Sequence, residues 1–258
     1  MVQENNYQIE QFDPEVLREY DIRGIVDKNI TENTAYTIGR VFGYIVFEKL
    51  KSNNISLGYD GRLTSPKLYK ALSTGLKDSG ANVKSIGICP TPAIPFLIRK
   101  LKYSLGIMIS ASHNPPEYNG IKIFDAEGNK INKSIENLIE TNIKKNDKKS
   151  FEAITNKAYI KKYDLLNLYQ SNLITSIGQE NLDGIKIVLD TCHGSATSCA
   201  EEVFKRLGAN VRVINSEANG SKINVNCGST FLKPLKKAIL EFQGDMGFSF
   251  DGDADRVI

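Results

Sequence analysis

Two short loops contain the residues whose types and spacing could perform chemistry. The first, residues 110–116, reads Ser-Ala-Ser-His-Asn-Pro-Pro and follows an apolar run at residues 105–109. Its two prolines fix φ and cannot donate hydrogen bonds, so they hold the turn in one shape. A rigid loop with a hydroxyl near its tip suits a covalent nucleophile, for which Ser112 is the candidate. A capped turn, whose polar side chains only satisfy the backbone, explains these residues equally well.

Two other roles for this loop are weakly supported. A hydrolase nucleophile elbow would need glycines two residues to either side of the serine, and the loop contains none. Ser112 and His113 are sequence neighbours, and in an extended chain they would point to opposite faces. They are therefore poorly placed to act together as a serine–histidine couple.

The second loop, residues 251–256, reads Asp-Gly-Asp-Ala-Asp-Arg and follows a predicted strand at residues 246–250. Three carboxylates alternate with small residues and can converge on one hard cation: Asp251, Asp253 and Asp255. Such oxygen ligands, with open positions left for water or phosphate, suit Mg²⁺. A metal is favoured over a surface acidic turn, because the carboxylates would otherwise repel each other. A calcium EF-hand is excluded, since Arg256 replaces the glycine that its sixth position requires.

The two loops make one chemical hypothesis. A phosphate on Ser112 would place about two negative charges beside the three aspartates. Bound Mg²⁺ would neutralise part of this charge and allow phosphoryl transfer. The remaining charge needs nearby cations. Four basic residues in or beside glycine-bearing loops are the candidates: Arg23, Arg62, Lys122 and Arg256.

An α/β fold must position these loops. Short β-rich runs alternate with helical patterns along the chain, and ligands of open α/β sheets collect at the carboxyl ends of strands. In the first half the predicted strands are 55–59, 83–88, 105–109 and 120–124, and the predicted helices are 66–77, 92–100 and 134–143. In the second half, after an amphipathic segment at 159–177, the strands are 184–189, 211–214 and 246–250, and the helices are 196–207 and 232–242. The charged run at 144–150 predicts a boundary between a first domain, 1–150, and a second, 151–258.

Composition excludes several classes of function. The 258 residues are 41% hydrophobic and 24% charged, as in a globular protein. The net charge is only +3 and the basic residues form no stripe interleaved with aromatics, so we expect no nucleic-acid partner. No apolar run approaches the ~20 residues needed to cross a bilayer, and the polar start lacks a signal-peptide core. Four scattered cysteines are typical of reduced thiols, which predicts a cytoplasmic protein without a membrane partner.

Four sequence motifs, in order, resemble those of the α-D-phosphohexomutases. They are Glu-Tyr-Asp-Ile-Arg-Gly at 19–24, Gly-Tyr-Asp-Gly-Arg at 58–62, the serine loop with Tyr-Asn-Gly-Ile-Lys at 118–122, and the aspartate loop. The first is most similar to the phosphomannomutase/phosphoglucomutase branch. Four ordered motifs spanning the chain are far more specific than any one alone. The resemblance implies two successive α/β domains with mixed sheets, the first half of a four-domain phosphohexomutase.

The resemblance also implies a role for each site residue. Ser112 would carry the phosphate and, with the three aspartates, would hold one Mg²⁺. Lys122 and Arg23 match positions that serve proton transfer or phosphate contact, and His113 would lie against the phosphoserine. The substrate-binding candidates are Tyr20, Arg256 and Arg62.

The implied reaction interconverts hexose 1-phosphate and hexose 6-phosphate, with a hexose 1,6-bisphosphate as primer. The phosphate of Ser112 passes to the phosphosugar substrate, the bisphosphate turns around, and its other phosphate returns to Ser112. The family's third and fourth domains supply sugar recognition and a second phosphate-binding loop, and no residue here matches them. We therefore expect these 258 residues alone to be inactive as a mutase, unless self-association or another chain supplies those domains.

Three alternatives remain. The chain could be a non-catalytic remnant that binds a metal or a partner. It could be a phosphatase-like hydrolase using the aspartates, although the serine loop is the better nucleophile. Residues 226–231, Asn-Cys-Gly-Ser-Thr-Phe, also resemble the phosphoglucosamine mutase branch, with Phe231 where histidine is common.

Overall fold

The computed structural model describes residues 7–11, 16–18, 21–49, 53–131 and 158–258, together with Asn137 and Thr141. Tyr20 and the boundary predicted at 144–150 lie outside the described residues. Of the helix predicted at 134–143, only Asn137 and Thr141 are described, and both are helical.

The described chain forms two α/β units. The first contains β1 Leu17–Arg18, β2 Asp21–Ile25, α1 Glu32–Lys49, β3 Asn54–Tyr59, α2 Ser65–Asp78, β4 Asn82–Ile88, α3 Ala93–Leu101, β5 Leu105–Ile109 and β6 Tyr118–Phe124. The chain continues through β7 Ile160–Lys162, which joins the sheet of the first unit, and α4 Leu166–Ser176. The second unit contains β8 Lys186–Asp190, α5 Ala200–Arg206, β9 Asn210–Ile214, α6 Lys233–Phe242 and β10 Met246–Ser249. The α/β class expected from the sequence is confirmed.

The sheet topology brings the two chemical loops to strand ends. The first sheet is mixed, in the order β1-β2-β6-β5-β3-β4-β7, and β5, β3, β4 and β7 run parallel. The second sheet, β10-β8-β9, is parallel throughout its described strands. Tyr59 at the end of β3 pairs with Ile109 at the end of β5, so the loops that follow these strands are neighbours. Ser249 of β10 likewise pairs with Asp190 of β8.

Helices α1 and α2 pack backbone to backbone on the first sheet. A Cβ on Gly39 would lie 2.3 Å from the Leu72 carbonyl oxygen, and one on Gly75 would lie 2.3 Å from that of Tyr36. Only glycine permits so close an approach. The tight pair buries apolar side chains such as Phe42 against the sheet and gives the serine loop a rigid base.

The sequence-based description missed or misplaced several features. Helix α1 was not predicted, because its buried residues surround it and leave little polar face to show a helical period. Strand β2 was also missed. The amphipathic segment predicted at 159–177 is divided: Ile160 pairs with Val83 and adds β7 to the edge of the first sheet before α4 begins. The helix predicted at 196–207 is interrupted at Cys199, where φ is −148°.

Candidate active site

Ser112 lies just beyond β5 in a buried, conformationally unusual position. Its φ is +54°, a left-handed conformation that is uncommon for a side-chain-bearing residue. Its backbone N–H donates to Ser110 Oγ at 2.9 Å, which supports the turn. Its own Oγ donates to Asp251 Oδ2 at 2.6 Å. The structure thus brings the predicted nucleophile into direct contact with the first residue of the aspartate loop.

The serine loop is shaped by Arg62, which is fully buried. Its Nε donates to Asp60 Oδ2, and its four terminal N–H groups donate to carbonyl oxygens of the loop. The four acceptors are Pro115, Tyr118, Ser112 and Asn114, at 2.6–2.9 Å. All five donors of the guanidinium are therefore used. The expectation that Arg62 binds substrate is not supported, because no N–H group remains for it, and its role is to hold the loop.

Arg62 and its four carbonyl acceptors are called the clamp below, and Asp60 joins this clamp to the rest of the first unit. Its carboxylate is fully buried and accepts hydrogen bonds from Arg62 and from the hydroxyls of Ser65 and Ser110, both at 2.8 Å. A buried carboxylate with several donors and a cation is compensated for its loss of water. Asp60 thus fixes the start of α2 and the start of the serine loop together.

The aspartate loop is closed by its own first carboxylate. Asp251 Oδ1 accepts the backbone N–H groups of Asp255 at 3.0 Å and Arg256 at 3.1 Å. Asp253 is fully buried, and its Oδ2 accepts from Thr91 Oγ1 at 2.5 Å and from Lys122 Nζ at 2.6 Å. These contacts fasten the aspartate loop of the second unit to β6 and to the segment that follows β4 in the first unit.

The metal-binding role of the three aspartates stays a prediction. Among the described residues, no group of three or more histidine, cysteine, aspartate or glutamate side chains is arranged to hold a metal ion. The Lys122 ammonium instead lies between Asp253 and Asp255, 3.5 Å from Asp255 Oδ2, and the Asp255 side chain is 41% exposed. The donor chemistry nevertheless suits Mg²⁺, because the buried Asp253 Oδ1 accepts no hydrogen bond from the described part of the chain.

The environments of two neighbouring carboxyls push their pKa values apart. Burial, followed by the charge of Asp253, raises the pKa of Asp251 to about 6. Burial also opposes ionisation of Asp253, but the charge and hydrogen bond of Lys122, together with hydrogen bonds from Thr91 and Ser110, lower the pKa of Asp253 below its ordinary value. Asp253 is thus the fixed negative charge of the loop, while Asp251 beside Ser112 exchanges a proton more readily.

Several cations face the region around His113. Burial lowers the pKa of His113, and the positive charges of Arg256, Arg23 and Lys122 lower it further against the opposing charge of Asp253. Arg23 Nη1 also donates to Asn114 Oδ1 at 3.0 Å. The structure therefore gathers every described residue of the predicted anion site except Arg62, which belongs to the clamp.

Sequence reasoning missed two residues that connect the units. Thr91 bonds Asp253 through both its hydroxyl and its backbone N–H, the latter to the Asp253 carbonyl oxygen at 2.8 Å. Its position beyond the end of β4 was the available signal. Asn224 bonds both chemical loops, and no motif pointed to it.

The backbone around the aspartate loop is also closely packed within the second unit. A Cβ on Gly194 would lie 2.3 Å from the Gly252 carbonyl oxygen, which accepts the Ser195 N–H at 2.9 Å. Two buried thiols lie nearby, with Cys227 Sγ 3.9 Å from Cys192 Sγ, and all four cysteines are free. The aspartate loop therefore has little room to shift.

No helix in the described part of the chain is both long and apolar enough to span a membrane.

Comparisons with known proteins agree with this geometry. The family described as "Phosphoglucomutase/phosphomannomutase, alpha/beta/alpha domain I" matches residues 14–150, and domain II of the same family matches residues 165–258. A phosphoglucosamine mutase of Prochlorococcus marinus (strain MIT 9515) is 56% identical over 92% of this chain and 52% of its own length. A phosphoglucosamine mutase from Synechococcus sp. (strain WH7803) is 44% identical over 92% of this chain and 51% of its own length. The chain thus spans about half the length of the curated relatives it matches.

Solved structures give the same result. A phosphoglucomutase/phosphomannomutase family protein from Burkholderia thailandensis has a TM-score of 0.81 and 28% identity, covering 97% of this chain and 54% of its own. A structure described as a phosphomannomutase from Thermus thermophilus has a TM-score of 0.80 and 25% identity. The match covers 97% of this chain and 57% of the Thermus chain. The chain therefore belongs to the phosphoglucomutase/phosphomannomutase family, of which it contains domains I and II.

Proposed function

We propose that this chain forms the phosphoserine-bearing half of a phosphohexomutase, an intramolecular phosphotransferase. The observation that carries the proposal is the buried hydrogen bond from Ser112 Oγ to Asp251 Oδ2, at 2.6 Å. It lies at the carboxyl end of β5, in a region that Arg23, Lys122 and Arg256 face. A hydroxyl beside a carboxylate, with cations around it, suits phosphoryl transfer, in which positioning and charge stabilisation do most of the work.

Each residue has a role in this proposal. Asp251 orients the Ser112 hydroxyl through its hydrogen bond with Oγ. Arg23, His113 and Arg256 bind the phosphate oxygens. Lys122 moves a proton to or from the sugar hydroxyl. Tyr20, outside the described residues, is proposed as a substrate contact.

The metal is also part of the proposal. Asp251, Asp253 and Asp255 would hold one Mg²⁺ together with the phosphate on Ser112. When bound, Mg²⁺ would neutralise charge on the transferring phosphoryl group. Asp253 Oδ1 supports this assignment, because it is buried and accepts no hydrogen bond from the residues that the structure describes. Asp255, which is partly exposed, would have to exchange its contact with Lys122 for the ion.

The proposed substrates are the 1- and 6-phosphates of a hexosamine, with a hexose 1,6-bisphosphate as primer. The curated relatives named above are phosphoglucosamine mutases, up to 56% identical to this chain. They favour the phosphoglucosamine alternative over the mannose and glucose phosphates that the residue 19–24 motif indicated. A cytoplasmic location completes the proposal, since the four cysteines are free.

Phosphate uptake at Ser112 tests the proposal directly. Intact-mass analysis after incubation with glucosamine 1,6-bisphosphate and Mg²⁺ should show one added phosphoryl group, and Ser112→Ala should show none. Glucose 1,6-bisphosphate should react more slowly if the hexosamine assignment is right. Equal uptake by wild type and Ser112→Ala would contradict the nucleophile, and no uptake by either would favour the non-catalytic alternative.

Full turnover is not expected of these 258 residues alone. The bisphosphate must be gripped at both ends while it reorients, and the residues proposed here grip only the end at Ser112. Losing the distal contacts should cost thousands-fold or more in rate, since several kcal/mol of positioning is lost. A coupled assay with glucosamine 1-phosphate checks this. Turnover at an ordinary enzyme rate would mean that a second copy or another chain supplies the missing contacts.

A further inference from the structure

We propose that Asn224 is a positioning residue that couples the serine loop to the aspartate loop. The inference deepens the proposed function and rests on it. Asn224 lies in the second unit, between β9 and α6, yet its side chain bonds the backbone of both loops. It is not proposed to contact the substrate or the transferring phosphate.

The amide of Asn224 uses both of its ends. Nδ2 donates to the carbonyl oxygens of Ser112 at 2.9 Å and Asn114 at 3.0 Å. Oδ1 accepts the backbone N–H of Gly252 at 3.1 Å and the thiol of Cys192 at 3.1 Å. Because the amide is planar and rigid, these bonds fix the distance between the turn at Ser112 and the turn at Gly252.

This role differs from that of Arg62, although both side chains bond the Ser112 carbonyl oxygen. Arg62 belongs to the same unit as Ser112, so it sets the shape of the serine loop. Asn224 belongs to the other unit, so it sets where that loop lies relative to Asp251. The contact of Ser112 Oγ with Asp251 Oδ2 depends on this second alignment.

The backbone conformation at Asn224 and the lack of a side chain at Gly252 allow these hydrogen bonds to form. Asn224 has a φ of +60°, which asparagine tolerates better than most residues. A Cβ on Gly252 would lie 2.8 Å from both Asn224 Nδ2 and the Ser112 carbonyl oxygen. The absence of a side chain at Gly252 is therefore required for the three backbone and amide groups to meet.

Loss of the amide should impair the chemical step more than binding of the primer. A displacement of about 1 Å between reacting groups lowers a rate by roughly 100-fold. We expect Asn224→Ala to take up phosphate at Ser112 roughly 100-fold more slowly, with the primer concentration for half-maximal rate changed little. A residue that served only global stability would not produce this separation.

Asn226 offers a matched control within the same loop. Its φ is +52°, so alanine there meets the same backbone penalty as alanine at position 224. Its side chain is exposed and makes no hydrogen bond to the other described residues. Asn226→Ala should therefore retain the uptake rate of the wild type, and any difference between the two variants reports on the Asn224 amide.

A second readout does not depend on phosphorylation. Amide hydrogen exchange should quicken in both the serine loop, 110–116, and the aspartate loop, 251–256, in Asn224→Ala, and in neither loop in Asn226→Ala. If the wild type takes up no phosphate, the proposed function fails, while the coupling is still decided by exchange. Equal exchange and equal uptake in the two alanine variants would overturn the coupling.

Asn224→Asp keeps the test decisive if Asn224→Ala does not fold. It retains an acceptor for the Gly252 N–H but loses the donor and places negative charge against the carbonyl oxygens of Ser112 and Asn114. The serine loop should exchange faster while the aspartate loop changes less. Wild-type exchange in the serine loop of this variant would also overturn the coupling.

Discussion

The surroundings of Arg62 and of Lys122 differ although both residues are buried cations with a place in the predicted anion site. Arg62 gives its donors to four carbonyl oxygens and Asp60, all within the first unit. Lys122 gives its charge to Asp253 and Asp255, across the boundary between units. One cation is bound mainly to neutral groups that cannot move without unfolding the loop, and the other is bound to anions that can exchange partners.

The difference shows how similar sequence signals lead to different physical roles. The planar guanidinium fits several fixed acceptors at once, whereas the ammonium is a compact charge on a flexible stem. Arg62 therefore gives the serine loop one shape before any ligand arrives. Lys122 balances the charges of Asp253 and Asp255, and we propose that Mg²⁺ would replace it there.

The largest effect is expected from Arg62→Met. It leaves Asp60 buried without its cation and frees four loop carbonyls, so the free energy of unfolding should fall by about 3–5 kcal/mol. Chemical denaturation measures the change. Lys67→Met is the control, because Lys67 forms an exposed pair with Asp27 and its loss should cost at most about 1 kcal/mol. Similar losses of unfolding free energy in both variants would show that the buried hydrogen bonds of Arg62 stabilise the fold no more than an exposed ion pair does.

A smaller and conditional effect is expected from Lys122→Met. In a chelating buffer the variant should lose about 2 kcal/mol of unfolding free energy, because Asp253 loses its countercharge while Asp255 remains partly solvated. Added Mg²⁺ should raise its thermal midpoint more than that of the wild type, since the ion then replaces the ammonium. Equal shifts in the two proteins would show that Lys122 does not stand in for a cation.

The smallest effect is expected from Thr91→Val, which removes the Thr91 hydroxyl that donates to Asp253 and keeps nearly the same side-chain volume. The loss should be about 1 kcal/mol in unfolding free energy, as for a single hydrogen bond. Thr91→Ser keeps the hydroxyl and should lose less. If serine and valine are equally destabilising, the methyl group rather than the hydrogen bond connects β4 to the aspartate loop.

The sequence predicted the parts of the site that depend on strand ends. Ser112 and Asp251 each follow a strand, and their meeting agrees with the rule for open α/β sheets. The roles of Arg62 and Lys122 could not be separated, because the same charge suits a buried clamp and a substrate contact. Asn224 carried no signal, since its function depends on two loops that are distant in sequence.

The same limit applies to the fold. Strands with alternating or β-branched runs were found within a few residues of their observed bounds. Helix α1 was not, because a helix buried on nearly all sides lacks the amphipathic period. The exposed side chain of Asp255 was equally hidden, as spacing alone cannot show that Lys122 lies between two carboxylates.

The clamp around Arg62 has a consequence for the order in which the protein is made. Its partners all lie between Asp60 and Tyr118, whereas Ser112 Oγ bonds a residue 139 positions later. Domains fold as units, with the N-terminal one first during synthesis. On a ribosome the serine loop can therefore take its final shape before Asp251 has been translated. The nascent chain would present a finished nucleophile turn to which the aspartate loop later docks.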